Sequence, residues 1–144
     1  SHVELAAVFE PAISLYQARP PGRMLRIHGE FPMDPPLPLA QAPASTLFEA
    51  ACAVLDLMEQ QATALDEPQA VFLHTHVNGN QLEIGFTGAE SLLGPIVTEH
   101  GGADNGLLRQ LSADLAASGI ALASQYDSRD AVTLRFVVPA MPGI

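Results

Sequence analysis

The side chains with chemical reach in this chain are few and scattered. His74 and His76 are two residues apart in an alternating apolar–polar run, so on a strand both rings face one side. Two imidazoles at that spacing can share a zinc or copper ion. A metal site normally takes three or four ligands, and the one further histidine that a neighbouring strand would bring near is His28. Phe72 shares their face, which reads as a partly buried surface instead of a ligand set. A second candidate is Gly101-Gly102-Ala-Asp-Asn105-Gly106, a glycine-rich segment that opens a helix. Such a segment can aim backbone N–H groups and the positive helix end at a phosphate. Asp104 at its cap opposes an anion, and glycines also simply end loops. Glu99 and His100 just before it read as loop surface. Cys52 lies among apolar helix positions with no histidine nearby, which reads as an inert thiol. There is no nucleophile elbow centred on serine.

Composition narrows the chemistry further. The chain carries a net charge of −10, and its six basic residues are all arginine. An acidic surface repels phosphate backbones, so nucleic acid is not an expected partner. The same field opposes a free nucleoside triphosphate unless magnesium or local arginines compensate. Without lysine there is neither a Walker phosphate-binding lysine nor Schiff-base chemistry. The 144 residues suit one domain with one core, placed at residues 3–144, with Ser1-His2 read as a tag remnant. No apolar run reaches transmembrane length, no signal peptide is evident, and the single cysteine excludes an internal disulfide. A cytoplasmic location, without membrane insertion of this segment, is the expectation.

Hydrophobic periodicity supplies the elements that must position these groups. Val3 to Ala18 has helical spacing, with a kink or break expected at Pro11. Arg23 to Gly29 reads as a short strand, and Phe31 to Pro43, with five prolines, as an extended connection. Leu47, Ala51, Val54, Leu55, Met58, Ala62 and Leu65 form the apolar stripe of the strongest helix. Ser45 or Thr46 is its expected cap, with Glu49 near the reciprocal position. Ala70 to Val77 and Gln81 to Thr87 form a hairpin around Asn78-Gly79-Asn80. Gly88 to Asp104 reads as a long loop with a short turn at Ser91–Leu93. A helix from Asn105 to Ser118 follows, then a closing hairpin of Ile120 to Tyr126 and Ala131 to Val138. The fold class is therefore α/β (α+β): a two-layer sandwich, its mixed, mostly antiparallel sheet of about five strands covered on one face by three helices.

The run from Asn105-Gly-Leu-Leu-Arg-Gln-Leu-Ser-Ala-Asp-Leu-Ala-Ala-Ser-Gly119 to Thr133-Leu-Arg-Phe-Val-Val-Pro139 resembles the end of the ATP-binding domain of sensor histidine kinases, the GHKL or Bergerat fold. The order of the other elements is similar to that family over nearly the whole chain. The resemblance implies a magnesium-binding Asn on the long helix, an adenine-binding Asp after the following hairpin, an ATP lid, and a glycine phosphate motif opening the next helix. Here the Asn position is Ala53, or Leu57 in another register, and no Asn precedes Asn78. Asp56 and Glu59 offer carboxylates but read as a solvated face. Gly88 or Ala89 stands where the Asp belongs, and no Asp occurs between Asp66 and Asp104. The family's Thr on the last strand falls at Val132, one place from Thr133, and a shift of one points a strand side chain to the opposite face.

The first reading is thus a degenerate histidine-kinase-like domain in two-component signal transduction, working as a protein-interaction or phosphotransfer-scaffold module. It implies no cofactor. Its partner would be a signalling protein such as a response regulator or a kinase dimerisation domain, met through the long helix or the lid, with a homodimer as a further arrangement. The alternative is an active ATP-binding domain with an atypical pocket built from Glu90, Gly101, Gly102, Asn105 and Gly106, taking Mg-ATP. A third reading is an unrelated sandwich with a small-molecule pocket under residues 88–104.

Overall fold

The computed structural model describes residues 2–18, 24–97, 106–127 and 130–142. The elements run α1 (Leu5–Ala18), β1 (Leu25–His28), α2 (Ala44–Leu65), β2 (Gln69–Asn78), β3 (Gln81–Ala89), α3 (Glu90–Val97), α4 (Gly106–Ala116), β4 (Ala121–Tyr126) and β5 (Ala131–Pro139). The strands form one sheet in the order β1-β2-β3-β5-β4. β1 pairs parallel with β2, and every other pairing is antiparallel.

Strand alternation sorts the sheet into a dry face and a wet face. Val71 and Leu73 of β2, Leu82, Ile84 and Phe86 of β3, and Val132, Leu134, Phe136 and Val138 of β5 are buried against the helical layer. Their neighbours Phe72, His74 and His76 are exposed on the other face. α2 buries Leu47, Ala50, Ala51, Val54, Leu55, Leu57, Met58 and Ala62, a broader stripe than the sequence predicts. It packs against α1, α3 and α4 as well as β1. Tyr16 of α1 donates from its hydroxyl to the Cys52 carbonyl of α2 at 3.0 Å, and Gln17 donates to the Ile27 carbonyl of β1 at 3.0 Å. Phe9 lies at the centre of the core. Its ring meets Phe136 edge-on at 5.4 Å, with Phe31 and Phe86 each at 6.4 Å.

Several expectations need correction. The segment predicted as a loop with a turn at Ser91–Leu93 holds an eight-residue helix, α3. Leu92, Leu93, Ile96 and Val97 recur at helical spacing and all are buried, which overrides the cost of Gly94 and Pro95. The helical layer therefore has four helices among the described residues, not three. α1 runs unbroken through Pro11. Pro11 and Ala7, whose carbonyl loses its helical partner, are both exposed, so water can replace the missing bond. Neither Ser45 nor Thr46 caps α2. Pro43 holds that place in an extended conformation without a side-chain bond, and its carbonyl accepts the Leu47 N–H at 3.2 Å.

The proline-rich connection is stitched to both ends of the chain. Val3 and Ala40 exchange two backbone bonds, at 2.9 and 2.8 Å, and Ala40 also bridges Ala140. Gly29 turns the chain out of β1 at φ 128°, and a Cβ there would stand 2.4 Å from the Leu73 carbonyl oxygen. No helix among the described residues is long and apolar enough to cross a membrane.

Two measurements check this packing. Phe9→Ala is expected to lose about 3–5 kcal/mol of unfolding free energy in urea titration. Asp66, the C-cap of α2, sits in the left-handed region at φ 59°. Asp66→Gly is expected to stabilise by about 0.5–1 kcal/mol by removing that strain, seen as a raised thermal midpoint.

Candidate functional site

The resemblance directs attention to the dry side of the sheet, where α2, the end of β3 and the start of α3 meet. Gly88 is buried there, paired with Val132 of β5. Leu92 and Leu93 of α3 descend onto it and are completely buried. A Cβ on Gly88 would lie 3.3 Å from Leu93 Cδ1 and 3.5 Å from Leu92 Cδ2. Two leucine side chains thus pack onto the position that the resemblance assigns to a carboxylate.

α2 presents no polar substitute to this region. Ala53 is half-buried and Leu57 is buried. Asp56 accepts from Gln60 Nε2 at 2.8 Å, one turn along the same helix. Glu59 has a structural task. Its Oε2 accepts the Met24 N–H at 3.2 Å and the Thr63 hydroxyl at 3.4 Å, fixing the entry to β1. Its other oxygen is buried without a hydrogen-bond partner.

Of the residues assigned to an atypical nucleotide pocket, Gly101, Gly102 and Asn105 lie outside the described residues, as do Glu99, His100 and Asp104. Gly106 is the first residue of α4. Glu90 opens α3, and its N–H donates to the Asp130 carbonyl at 2.8 Å. Its side chain is exposed and lies along its own helix, with Cγ 3.3 Å from where a Cβ on Gly94 would stand. Glu90 and Asp130 line a shallow cavity of about 400 Å³ with Ala89, Ser91 and Pro95. Two carboxylates on one small cavity oppose a triphosphate.

A larger cavity, about 470 Å³, opens between α4 and β4. Leu108, Ala113, Ala116, Leu122 and Leu134 line it together with the polar Arg109 and Ser112. Sequence reasoning missed it, because residues of α3, α4, β4 and β5 meet there only in the folded chain. Cys52 forms no disulfide and is half-buried on α2.

The remaining candidates fall on the wet face. Val132 points into the core and Thr133 to the opposite side, so the single-residue shift read from the sequence has its expected effect. His74 and His76 do share a face, but that face is not a buried one. Phe72 is 54% exposed, which corrects the expectation drawn from it. Phe72 is instead flanked by His28 of β1, whose ring stacks on it at 5.3 Å.

With this geometry in hand, solved structures supply a frame. The chain superposes on the catalytic domain of the histidine kinase ThkA with a TM-score of 0.64 and 11% identity, over 97% of this chain and 95% of that one. It superposes on the Acinetobacter baumannii histidine kinase AdeS with a TM-score of 0.72 and 9% identity, over 97% of this chain and 66% of that one. For the histidine kinase domain of the E. coli osmosensor EnvZ the TM-score is 0.62 and the identity 10%, over 100% and 91% of the two chains. The fold is that of a histidine-kinase catalytic domain. No protein-family model and no curated protein sequence matches the chain. Identities this low carry the fold and leave the chemistry to the residues themselves.

The closed position at Gly88 has a direct test. Gly88→Asp places a carboxylate beneath Leu92 and Leu93, where it has neither room nor water. It is expected to lower stability by about 2 kcal/mol or more, read from the urea midpoint.

Proposed function

We propose that this domain is a histidine-kinase-like module of a two-component signalling system that works by protein contact, as an interaction or phosphotransfer-scaffold unit, with weak or no ATP binding. The observation that carries this reading is the packing of Leu92 and Leu93 onto Gly88. It fills the position that the resemblance assigns to an adenine-binding carboxylate. The absence of an Asn on α2 supports it from the magnesium side, since that ion asks for hard oxygen ligands. Phosphoryl transfer rests on positioning and on charge neutralisation by metal, and this chain offers poor means for either.

The partner on this reading is a response regulator or a kinase dimerisation domain. α2 keeps Ser45, Glu49, Gln60 and Thr63 exposed, so contact through this helix would use its polar side. The rival reading, a working ATP-binding domain of atypical pocket, must rest on Glu90 and residues 101–106. Glu90 stands beside Asp130 on the shallow cavity and brings no positive charge to a phosphate.

Calorimetric titration of Mg-ATP and of ADP at low salt separates the two. The expected result is no binding heat at millimolar nucleotide with the protein shown folded by circular dichroism. Micromolar binding that Glu90→Ala or Gly106→Val abolishes would sink the proposal and establish the rival.

A further inference from the structure

The wet face of the sheet carries a hydrogen-bonded chain of side chains that crosses three strands. His74 Nε2 lies 2.9 Å from Thr87 Oγ1. Thr87 Oγ1 lies 2.7 Å from Thr133 Oγ1. The Thr133 hydroxyl in turn donates to Asp127 Oδ2. Register explains why these groups meet. Thr87 pairs with Thr133 across β3 and β5, and His74 pairs with Gly85, one step along. A Cβ on Gly85 would stand 2.3 Å from His74 Cε1, so the bare glycine is what lets the imidazole lie flat toward Thr87. Thr133 is 3% exposed, shielded by the neighbours it bonds.

The direction of this chain follows from proton counting. A carboxylate only accepts, and each threonine hydroxyl holds one proton. With Thr133 donating to Asp127, its oxygen must accept from Thr87, and Thr87 must then accept from His74. The neutral His74 ring is therefore held as the Nε2–H form, and Nδ1 keeps its lone pair. No hydrogen bond to Nδ1 occurs among the described residues. A histidine that binds a metal through one nitrogen commonly donates its other N–H to a carboxylate, a backbone carbonyl or water, and here the Thr87 hydroxyl takes that place.

We propose that His74 and His76 form a two-imidazole site for a divalent transition-metal ion of the zinc class, with Thr87, Thr133 and Asp127 as positioning residues for His74. His76 lies two residues along the same strand face and is exposed. That step spans about 6.7 Å, which two imidazoles can close around an ion held about 2.1 Å from each nitrogen. Imidazole nitrogen selects such ions over magnesium or calcium. The net charge of −10 draws cations to the surface. Arg135, whose strand partner Gly85 lies against the His74 ring, is engaged by Glu83 at 3.3 Å and by Gln125. No group of three or more His, Cys, Asp or Glu side chains able to hold a metal occurs among the described residues, so water or a donor from a bound partner completes the ion's shell. This site does not depend on the signalling reading above.

The test is zinc titration of the full chain, followed by long-range ¹⁵N–¹H correlation of the imidazoles. A His2→Ala background removes the terminal histidine as a competitor. Before metal, His74 is expected as the Nε2–H tautomer. Sub-millimolar Zn²⁺ is expected to move the His74 and His76 rings together, and His74→Ala to abolish the response. Thr133→Val is expected to weaken binding by about tenfold to a hundredfold, and Thr133→Ser to restore it. An Nδ1–H tautomer, a response confined to His28, or no response at millimolar zinc would each overturn the site. Unchanged affinity in a folded Thr133→Val variant would overturn the role of the hydrogen-bonded chain.

Discussion

The Phe9 ring is where the fold is fastened. It belongs to α1, and its neighbours Phe31, Phe86 and Phe136 belong to the proline-rich connection, β3 and β5. These segments are far apart in sequence, and none can bury its aromatic ring without the others. Aromatic pairs in tilted and edge-on arrangements gain about 0.5–1.5 kcal/mol beyond the area they bury. The cluster fixes which face of the sheet is dry. Once β3 and β5 turn Phe86 and Phe136 inward, alternation places Thr87, Thr133 and Arg135 outside.

That constraint reaches the end of β3. Gly88 is on the inward face, so whatever follows must cover it or leave a cavity. α3 covers it with Leu92 and Leu93, and Ile96 and Val97 extend the apolar contact. A polar anchor at the same point would have to be hydrated or bonded to a ligand. In this chain the segment from Gly88 to Val97 fills that small volume by apolar packing. The acidic residues nearby, Glu90 and Asp130, remain on the exposed rim.

Much of this was legible because it depends on local periodicity. The stripe of α2, the Asn78-Gly79-Asn80 hairpin and the five strands follow from spacings of about 3.6 and 2 residues. The misplacement of a threonine at 133 relative to 132 was readable for the same reason. α3 was hidden because Gly94 and Pro95 carry the local signs of a loop, while the burial that stabilises it is tertiary. The cap of α2 was misjudged because Pro43 fixes the entry before either hydroxyl is reached. Phe72 was misread by taking an aromatic ring for a sign of burial. The bonded chain joins His74, Thr87, Thr133 and Asp127 across three strands, so only the register of the sheet reveals it.

The two faces of the sheet thus separate two kinds of order. On the dry face, shape and area decide, and a change of one methylene is felt through close packing. On the wet face, the ordered groups are polar and each holds its neighbour by a directed bond. A single carboxylate, Asp127, sets the sense of every donor along that row, up to the imidazole of His74. Such a row survives beside water because Thr133 is shielded and Gly85 leaves room for the ring to cover the sheet.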